Sequence, residues 1–367
     1  MAINNPEFYK DKNITKALVN YLKNRLIKFE NLRIMEFCGT HTHNIFQYGF
    51  RYAFKPNLSF IAGPGCPVCV TSDYELAEVF YLLEKENVGI ITYGDMLKVP
   101  YDGKSLLDYR SDGYSIEIAY SALDALNIAE KKPQMEWVFL GVGFETTIPA
   151  TAALLELIIK RNVKNLSILS FHKNTKSIIS ALGKIGELKV DGIFLPGHVS
   201  AVVGWKYFED INNFGIPSVV VGFEPVDILH GLYELINMIE KGERGIKCCY
   251  KRAVEDKGNP RMLMSISYYF DIVECYWRGL GIIKDGGFEI KSKFKEFNAR
   301  NRFNFKNFKF NDVKSQCMCG DVLIGKIEPI ECPSYEVICT PDTPIGPCMV
   351  SHEGTCLAYY KWSRING

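Results

Sequence analysis

Residues 32–43 read LRIMEFCGTHTH. The first half is a short, mostly apolar run of the kind that forms a buried strand, and a thiol, two threonines and two histidines follow it directly. Two interpretations fit this arrangement. One is metal or redox chemistry at the end of a strand, and the other is a turn that contains a buried cysteine.

The same pattern, an apolar run followed by a glycine- or proline-rich loop and then a helical pattern, recurs along the first two-thirds of the chain. Continuous apolar strands that alternate with helices indicate parallel sheets covered on both faces. We therefore predict an α/β fold with two open parallel-sheet domains that face a central cleft. The predicted strands are LRIMEF (32–37), LSFIAG (58–63), VGIITY (88–93), EWVFLGVG (136–143), LSILSF (166–171), DGIFLPG (191–197) and PSVVVG (217–222).

The domain boundaries are predicted from changes in composition. A charged, proline-bearing stretch, EKKPQ, separates a first α/β domain at residues 1–128 from a second at residues 129–225. A linker helix opens the third region, residues 226–367, which ends in a tail rich in cysteine and proline. We expect that tail to be a separate C-terminal domain organised by a metal centre.

Two helix starts are legible. Ser72 and Glu75 fit a capping box. Asp227 is predicted to cap the linker helix, which is predicted to end at Gly242.

The composition is that of an ordinary globular protein. The chain has 367 residues, a net charge of +1 and 47% hydrophobic residues, so neither a nucleic-acid surface nor an acidic tail is indicated. The N-terminal stretch lacks the apolar core of a secretory signal, and no uninterrupted apolar run reaches membrane-spanning length. We expect a cytoplasmic protein that binds neither nucleic acid nor membrane and is a monomer without its partners.

The twelve cysteines are many for a reducing compartment, where structural disulfide frameworks are not expected. Clustered cysteines there indicate metal ligation or redox catalysis. Cys66 and Cys69 form a Cys-x-x-Cys pair just before the helix capped by Ser72, and a helix N-terminus favours the thiolate of Cys69. The pair is a redox-active dithiol, a pair of soft-metal ligands or half of a structural zinc site. We favour function, because no second pair has zinc-ribbon spacing.

Other polar residues also follow strand-like runs, and the carboxyl ends of parallel strands line the crevice in which such sheets bind ligands. We therefore expect a shared cleft. In this cleft Cys38 can bind iron through sulfur, and His41 can act as a ligand, a proton shuttle or a hydrogen-bond donor. Glu145 either points into the cleft or caps a helix. We favour a functional role for His198 and rank His172 below it.

The C-terminal tail carries six cysteines between residues 317 and 356. Four thiolates can hold a cubane iron–sulfur cluster, and an extra pair beside them suggests a dithiol that can open and close. The alternative is structural zinc on four of the six. The four cysteines assigned to a cluster, separated by 14, 6 and 16 residues, are Cys317, Cys332, Cys339 and Cys356, and the extra pair is Cys319 and Cys348.

Several of these motifs occur together in one known family. The combination resembles the HypD family of [NiFe]-hydrogenase maturation factors, and the resemblance runs from about residue 14 to the C-terminus. It implies two α/β domains and an iron–sulfur domain. The motifs that carry it are FCGTHTH (37–43), GPGCPVCVT (63–71), GVGFETT (141–147), LPGHVS (195–200) and the tail that begins with CMCGD (317–321).

The resemblance also implies a function. HypD-like proteins form, with the small chaperone HypC, a scaffold on which the Fe(CN)2CO unit of the hydrogenase active site is assembled, and HypE supplies the cyanide. Cys38 matches the iron-binding thiol of the family, Cys66 and Cys69 match its redox-capable pair, and His41 and His198 match its cleft residues. In the tail, the resemblance implies [4Fe-4S] ligands at Cys317, Cys332, Cys339 and Cys356 and a disulfide-forming pair at Cys319 and Cys348.

Three functions stay open on the sequence. The first is a redox-active assembly scaffold, for which catalytic turnover stays undecided. The second is a stand-alone iron–sulfur thiol–disulfide reductase resembling ferredoxin-thioredoxin reductase, which would need the cysteine pair but not an iron-binding Cys38. The third is a zinc-stabilised binding protein. For the HypC contact, the aromatic stretch HNIFQYGFRYAF (43–54) is a candidate helix, with packing in the core as the alternative.

Overall fold

The structure, a computed structural model, describes residues 5–185, 189–312 and 315–366. The strands are β1 (Leu32–Glu36), β2 (Leu58–Ala62), β3 (Gly89–Thr92), β4 (Ile116–Ile118), β5 (Trp137–Gly143), β6 (Leu166–His172), β7 (Gly192–Pro196), β8 (Ser218–Val221), β9 (Ile246–Cys248), β10 (Phe270–Trp277) and β11 (Gly281–Ile290).

The α-helices range from single turns to seventeen residues. They are α1 (Lys12–Leu26), α2 (Gly39–Gln47), α3 (Phe50–Ala53), α4 (Pro67–Val70), α5 (Asp73–Lys85), α6 (Leu106–Ser111), α7 (Ala122–Lys131), α8 (Ile148–Lys160), α9 (Thr175–Ile185), α10 (Gly197–Val203), α11 (Pro225–Lys241), α12 (Pro260–Tyr269), α13 (Ala299–Arg302), α14 (Cys319–Leu323) and α15 (Thr355–Asn366).

Nine of the strands form two parallel sheets. Sheet A has the order β2-β1-β7-β8-β9 and sheet B the order β4-β3-β5-β6, and neighbouring strands in both are parallel. Every residue of β5, β6 and β7 is buried, because helices cover both faces of the sheets. The predicted α/β fold is thereby confirmed, and all seven predicted strands are present. The pattern did not predict β4 and β9, which have three residues each.

The chain does not build the two sheets one after the other. It forms β1 and β2 of sheet A, then all of sheet B, and then returns to sheet A with β7, β8 and β9. Strands that are far apart in the chain are therefore paired. In sheet A, Met35 of β1 lies opposite Ile193 of β7, and in sheet B, Ile90 of β3 lies opposite Val138 of β5. The predicted boundary near residue 128 does not separate the sheets, because sheet B contains two strands before it and two after it. The apolar runs of the two sheets are similar, so the sequence does not show which strands pair.

The helix ends follow local chemistry. In the capping box of α5, as predicted, Glu75 Oε2 accepts the Ser72 amide at 2.8 Å and Ser72 Oγ accepts the Glu75 amide at 3.3 Å. The cap of α11 is Glu224 and not the predicted Asp227, which lies three residues further on and accepts the Glu224 amide at 3.1 Å. That helix ends, as predicted, at Gly242, whose φ of 66° is left-handed.

An antiparallel hairpin, β10–β11, joins the region after residue 243 to the loop that follows β2. Its turn carries Arg278, whose amide donates to Val70 O at 3.0 Å and whose Nε donates to Thr71 O at 2.8 Å. Arg278 Nη1 also pairs with Asp73 at 2.6 Å. These bonds hold the hairpin against the connection between α4 and α5.

The cysteine-rich tail packs against the first helices of the chain. The α15 residues Ala358 and Tyr359 form a small core with Phe46 of α2. Arg51 of α3 pairs with Glu328 at 2.6 Å and donates to the Tyr359 hydroxyl. None of the helices in the described part of the chain combines the length and the apolar content that crossing a membrane requires.

Candidate functional site at the strand ends of sheet A

Cys38 lies where β1 gives way to α2, and it is the N-cap residue of that helix. Its side chain is only 7% exposed. Burial raises the pKa of the Cys38 thiol to about 12, and the neighbouring Glu353 carboxylate adds to that rise, while the amides of His41 and Thr40 hydrogen-bond to the sulfur and oppose it. The sulfur is therefore a protonated thiol at neutral pH that faces the amide groups of a helix N-terminus.

The loop after β2 lies directly against Cys38. The Gly39 amide donates to Gly65 O at 2.9 Å, and a Cβ added at Gly65 would meet the backbone of residues 37 and 38. Glycine is required here because two backbones approach closely. The next residue, Cys66, forms a disulfide with Cys69, with the Cα atoms 5.2 Å apart. The predicted redox pair is thus next to the predicted iron-binding thiol.

His41 and His198 stack on one ring, that of Phe223 after β8. The ring centroids lie 4.5 Å and 3.8 Å from that of Phe223, with planes inclined by 22° and 19°. His41 Nε2–H donates to Gly222 O at 3.0 Å, and its Nδ1 is buried without a hydrogen-bond partner in the described part of the chain. Burial lowers the pKa of His41 to about 4, with His198 adding to the effect, and burial also lowers the pKa of His198. Both rings are therefore neutral acceptors at pH 7.

Glu353 is a member of this group that the sequence pattern did not reveal. Its Oε1 accepts a hydrogen bond from the Thr40 hydroxyl at 2.9 Å. Its Cβ packs so closely on Gly39 that a Cβ added to that glycine would collide with it. Burial raises the pKa of the Glu353 carboxyl. The signal in the sequence is weak: a charged residue beside a glycine in SHEGTC, between two tail cysteines. The contact brings the tail to the first strand-end loop.

Glu145 and His172 belong to sheet B, and in the described part of the chain neither side chain hydrogen-bonds to this group. Glu145 accepts the Thr175 amide at 2.9 Å and the Thr175 hydroxyl at 2.7 Å, and the Tyr207 hydroxyl lies 3.4 Å away. The sequence left two roles open for Glu145, and these hydrogen bonds correspond to the role of a helix cap. The helix that it caps is α9, however, and not α8, which follows Glu145 in the chain. Burial raises its pKa to about 7. His172 is buried with Nε2 2.9 Å from Thr151 Oγ1, which is a structural contact.

The tail thiols surround a common cavity. Cys319 Sγ lies 3.0 Å from Cys317 Sγ, and a Cβ at Gly346 would collide with Cys317 Sγ and lie 2.8 Å from Cys319 Sγ. Cys348 is fully buried behind Cys319 and is not part of the lining. All six tail cysteines are free thiols. The thiols that line the cavity are Cys317, Cys319, Cys332, Cys339 and Cys356.

This donor set fits a multi-iron cluster. In the described ranges, no three side chains of His, Cys, Asp or Glu converge closely enough to hold a single metal ion. Five thiols line the cavity together with the Tyr335 phenol, no Lys, Arg, Asp, Glu or His is among the lining residues, and a glycine keeps one wall free of side-chain atoms. Thiolate sulfur is the donor that iron–sulfur clusters require.

The thiol cavity is close to the Cys66–Cys69 disulfide. The turn at Pro347–Met349, which includes Cys348, contacts α4, which includes Cys69. Hydrogen bonds from Cys317 and Cys348 lower the pKa of Cys319, and Arg278 adds to that effect. Arg278 is the same residue that binds the end of α4. The structure therefore brings the tail thiols to the disulfide on one side and to Cys38, through Glu353, on the other.

The candidate partner helix is packed in the core. Ile45, Phe46, Phe50 and Phe54 are each at most 2% exposed, so the alternative given for the stretch 43–54 holds for these side chains. A groove of about 1090 Å³ lies instead between α1, α11 and β9. One of its lining residues, Arg252, lies over the Tyr250 ring, and Tyr250 contacts Phe223 edge-on at 6.0 Å. Two ring contacts therefore connect Arg252 in the groove to Phe223 in the histidine stack.

Known proteins resemble this chain over almost its whole length. The profile of a family described as "HypD: Hydrogenase formation hypA family" matches residues 13–363. A putative hydrogenase expression/formation protein of Methanocaldococcus jannaschii is 36% identical over 356 residues, which are 97% of this chain and 99% of that protein.

Two bacterial proteins give the same result. Hydrogenase maturation factor HypD1 of Bradyrhizobium diazoefficiens is 36% identical over 366 residues, covering 97% of this chain and 96% of that protein. Hydrogenase maturation factor HypD of Cupriavidus necator is 35% identical over 367 residues, covering 98% and 97%. Identity at this level over the full length of both chains, together with the matching motifs, shows that this chain belongs to the HypD family.

Proposed function

We propose that this protein is a redox-active scaffold of hydrogenase maturation on which an Fe(CN)2CO unit is assembled. A chaperone like HypC would share the iron, and a protein like HypE would donate the cyanide. The observation that carries the proposal is the juxtaposition at the end of sheet A. Cys38, the Cys66–Cys69 disulfide and the stacked histidines meet at adjacent strand ends of sheet A.

Cys38 is the residue that we expect to bind the iron, which is cargo and not a resident cofactor. Iron that carries cyanide and carbonyl is electron-rich, and thiolate sulfur is a suitable soft ligand. Because burial holds Cys38 as a thiol, iron has to displace its proton. The rings of His41 and His198 stay neutral at pH 7, because burial lowers the pKa of both, and they can accept hydrogen bonds from groups in the cleft.

The thiol cavity and the two cysteine pairs would supply electrons. A [4Fe-4S] cluster held by Cys317, Cys332, Cys339 and Cys356 would give the site a one-electron store. The chain's own part is to hold the buried Cys319 and Cys348 beside that cavity and against α4. Opening the Cys66–Cys69 disulfide takes up two electrons and two protons and yields two thiols.

The groove between α1, α11 and β9 is where we expect the chaperone to dock. Its lining is largely aromatic and aliphatic, as in Phe8, Ile14, Tyr21, Tyr233 and Ile246. Its lining residue Arg252 is connected to the histidine stack through the Tyr250 ring. A partner seated there could present its own metal-binding group to Cys38 without entering the core.

Infrared spectroscopy of the protein purified together with a HypC-like partner tests the scaffold function. We expect bands of iron-bound cyanide and carbonyl in the wild type and their loss in Cys38→Ala. Cys275→Ala, which removes a half-buried thiol on β10, should keep them. Bands of full intensity in Cys38→Ala, or none in a wild-type complex that contains iron, would contradict the proposal.

The Cys66–Cys69 disulfide also favours the second candidate, a stand-alone thiol–disulfide reductase. The Cys38→Ala variant separates the two functions. A reductase would keep its disulfide exchange with small dithiols in that variant and would have no need for the infrared-active iron.

A further inference from the structure

We infer that the loop over the thiol cavity is a docking surface for a one-electron carrier protein with a basic rim around its redox centre. This inference rests on the proposed function, because it assigns the point at which electrons enter. The central residues, which we call the carrier patch, are Ile330, Val337 and Ile338. They are 62%, 75% and 49% exposed, although aliphatic side chains are normally buried.

The carrier patch belongs to the loop that forms part of the cavity wall. Ile330 is two residues from Cys332, and Ile338 is next to Cys339, and both of these cysteines line the cavity. The loop is compact, because the Cys332 amide donates to Pro329 O at 3.1 Å and the Cys339 amide donates to Ser334 O at 2.8 Å. Only a few covalent and hydrogen bonds therefore separate the exposed side chains from the thiols.

The part of the cavity wall at Cys319 is closed to an external carrier. Cys319 is 4% exposed and Cys348 is fully buried. The turn that contains Cys348 packs on α4, beside the Cys66–Cys69 disulfide. Electrons that enter at the carrier patch would leave on the side where the disulfide lies, so the arrangement has a direction from the surface to the strand-end site.

The charge around the patch selects the partner. Lys326 is the single basic residue between positions 315 and 350, and Glu328 is paired with Arg51 at 2.6 Å. An acidic rim repels acidic carriers and attracts those with a ring of lysine or arginine. Three aliphatic side chains make a small contact, which suits the brief encounters of electron carriers. The carboxylates of this segment are Asp321, Glu328, Glu331, Glu336 and Asp342.

Each encounter with a carrier at this surface would transfer one electron. A reduced carrier would lose one electron and become oxidised, and a cluster held by the cavity thiols would supply the one-electron acceptor, with no bond made or broken. Two such encounters supply the two electrons that convert the Cys66–Cys69 disulfide, with two protons, into two thiols.

Mitochondrial cytochrome c, whose haem edge is ringed by lysines, is a suitable probe. The protein is reduced, freed of reductant and mixed with ferricytochrome c, and the electron transfer is followed in a stopped-flow spectrometer. Binding is measured separately from shifts in the NMR spectrum of 15N-labelled ferricytochrome c at low salt. The NMR measurement requires no bound cluster, so a failure of the docking surface is distinguishable from a failure of the proposed iron–sulfur centre.

Two variants test the surface, and a third variant is the matched control. We expect Val337→Ser/Ile338→Ser and Glu331→Lys/Asp342→Lys each to slow electron transfer and weaken the NMR shifts by about fivefold or more, and the charge reversal to abolish the salt dependence. The control, Ile27→Ser/Glu30→Lys, alters an equally exposed aliphatic residue and a carboxylate at the end of α1 and should leave both unchanged. Iron content and visible absorbance should be the same in all four proteins.

Two outcomes would overturn the inference. One is equal rates and equal shifts in the patch variants and the control, while the infrared bands of the co-purified iron persist. The other is a wild-type protein that forms a dimer by light scattering and becomes a monomer in Val337→Ser/Ile338→Ser, which would make the patch a contact between copies of this chain.

Discussion

Cys38 and Glu145 lie at the same kind of position, just beyond the carboxyl end of a parallel strand, but their surroundings differ. Cys38 is flanked by helix amides, by Glu353 and by the loop of Gly65. Glu145 is enclosed by the residues that it hydrogen-bonds, including Thr175. Position in the sheet therefore indicates where ligands can bind, and the neighbours of each side chain decide whether it faces a ligand or the fold.

The buried carboxyl of Glu145 makes a prediction about pH. Its pKa is about 7 in the folded chain against 4.5 for an ordinary glutamate, so between these values the folded state holds a proton that the unfolded state has released. Stability is therefore fully present below pH 4.5 and falls as pH rises towards 7. From pH 5 to pH 8 we expect the wild type to lose about 2 kcal/mol more unfolding free energy than Glu145→Gln. Urea unfolding at both pH values measures the difference.

The control for this prediction is Glu296→Gln, which changes an exposed carboxylate in the same chain. It should follow the wild type at both pH values. An equal pH dependence in Glu145→Gln and the wild type would mean that Glu145 is ionised in the folded protein and stabilised by Thr175 and Tyr207.

At the scale of elements, two loops form the site by close backbone contact. The loop after β2 touches the start of α2 at Gly65, where no side chain fits. We expect Gly65→Ala to cost about 2 kcal/mol of unfolding free energy, the usual effect of overpacking, and to raise the rate at which Cys38 is alkylated. Mass spectrometry of the Cys38 peptide follows the alkylation. In the matched control, Gly94→Ala, the new Cβ would meet only Ile118 Cγ2 at 3.9 Å.

A second glycine makes a similar prediction for the tail. A Cβ at Gly346 would enter the space between Cys317 Sγ and Cys319 Sγ. We expect Gly346→Ala to reduce iron content several-fold without unfolding sheets A and B, because the obstruction is confined to the thiol cavity. Iron analysis and circular dichroism measure the two effects. Full iron content in Gly346→Ala would show that the cavity is not the binding site.

The elements that the sequence predicted are those with strong local signals. Long apolar runs such as that of β5, and the capping box of Ser72 and Glu75, require no knowledge of distant residues. β9 has only three half-buried residues, IKC, and carries no such signal. The contact of Thr40 with Glu353 spans 313 positions. It could not be predicted, because no local pattern relates the two loops.

At the scale of the whole molecule, the interleaved topology explains why the site is compact. β1, β2, β7 and β8 are parallel neighbours, so the loops that follow them meet at one edge of sheet A, although sheet B separates β2 from β7 in the chain. Apolar periodicity predicts strands but not their order, and for this reason the predicted boundary near residue 128 divided strands that pair. The tail then closes over this edge from the other end of the chain.

The same topology predicts that the tail thiols can exchange electrons with the strand-end disulfide. We expect Cys319→Ser/Cys348→Ser to keep the visible absorbance of a cluster but to lose the infrared bands of assembled iron, because the buried pair lies between the thiol cavity and α4. Trapping of thiols by alkylation should show the Cys66–Cys69 disulfide opening on the order of tenfold more slowly than in the wild type. Cys275→Ser, which removes a half-buried thiol on β10, is the control and should change neither signal. Normal assembly in Cys319→Ser/Cys348→Ser would mean that electrons reach the site by a path that avoids this pair.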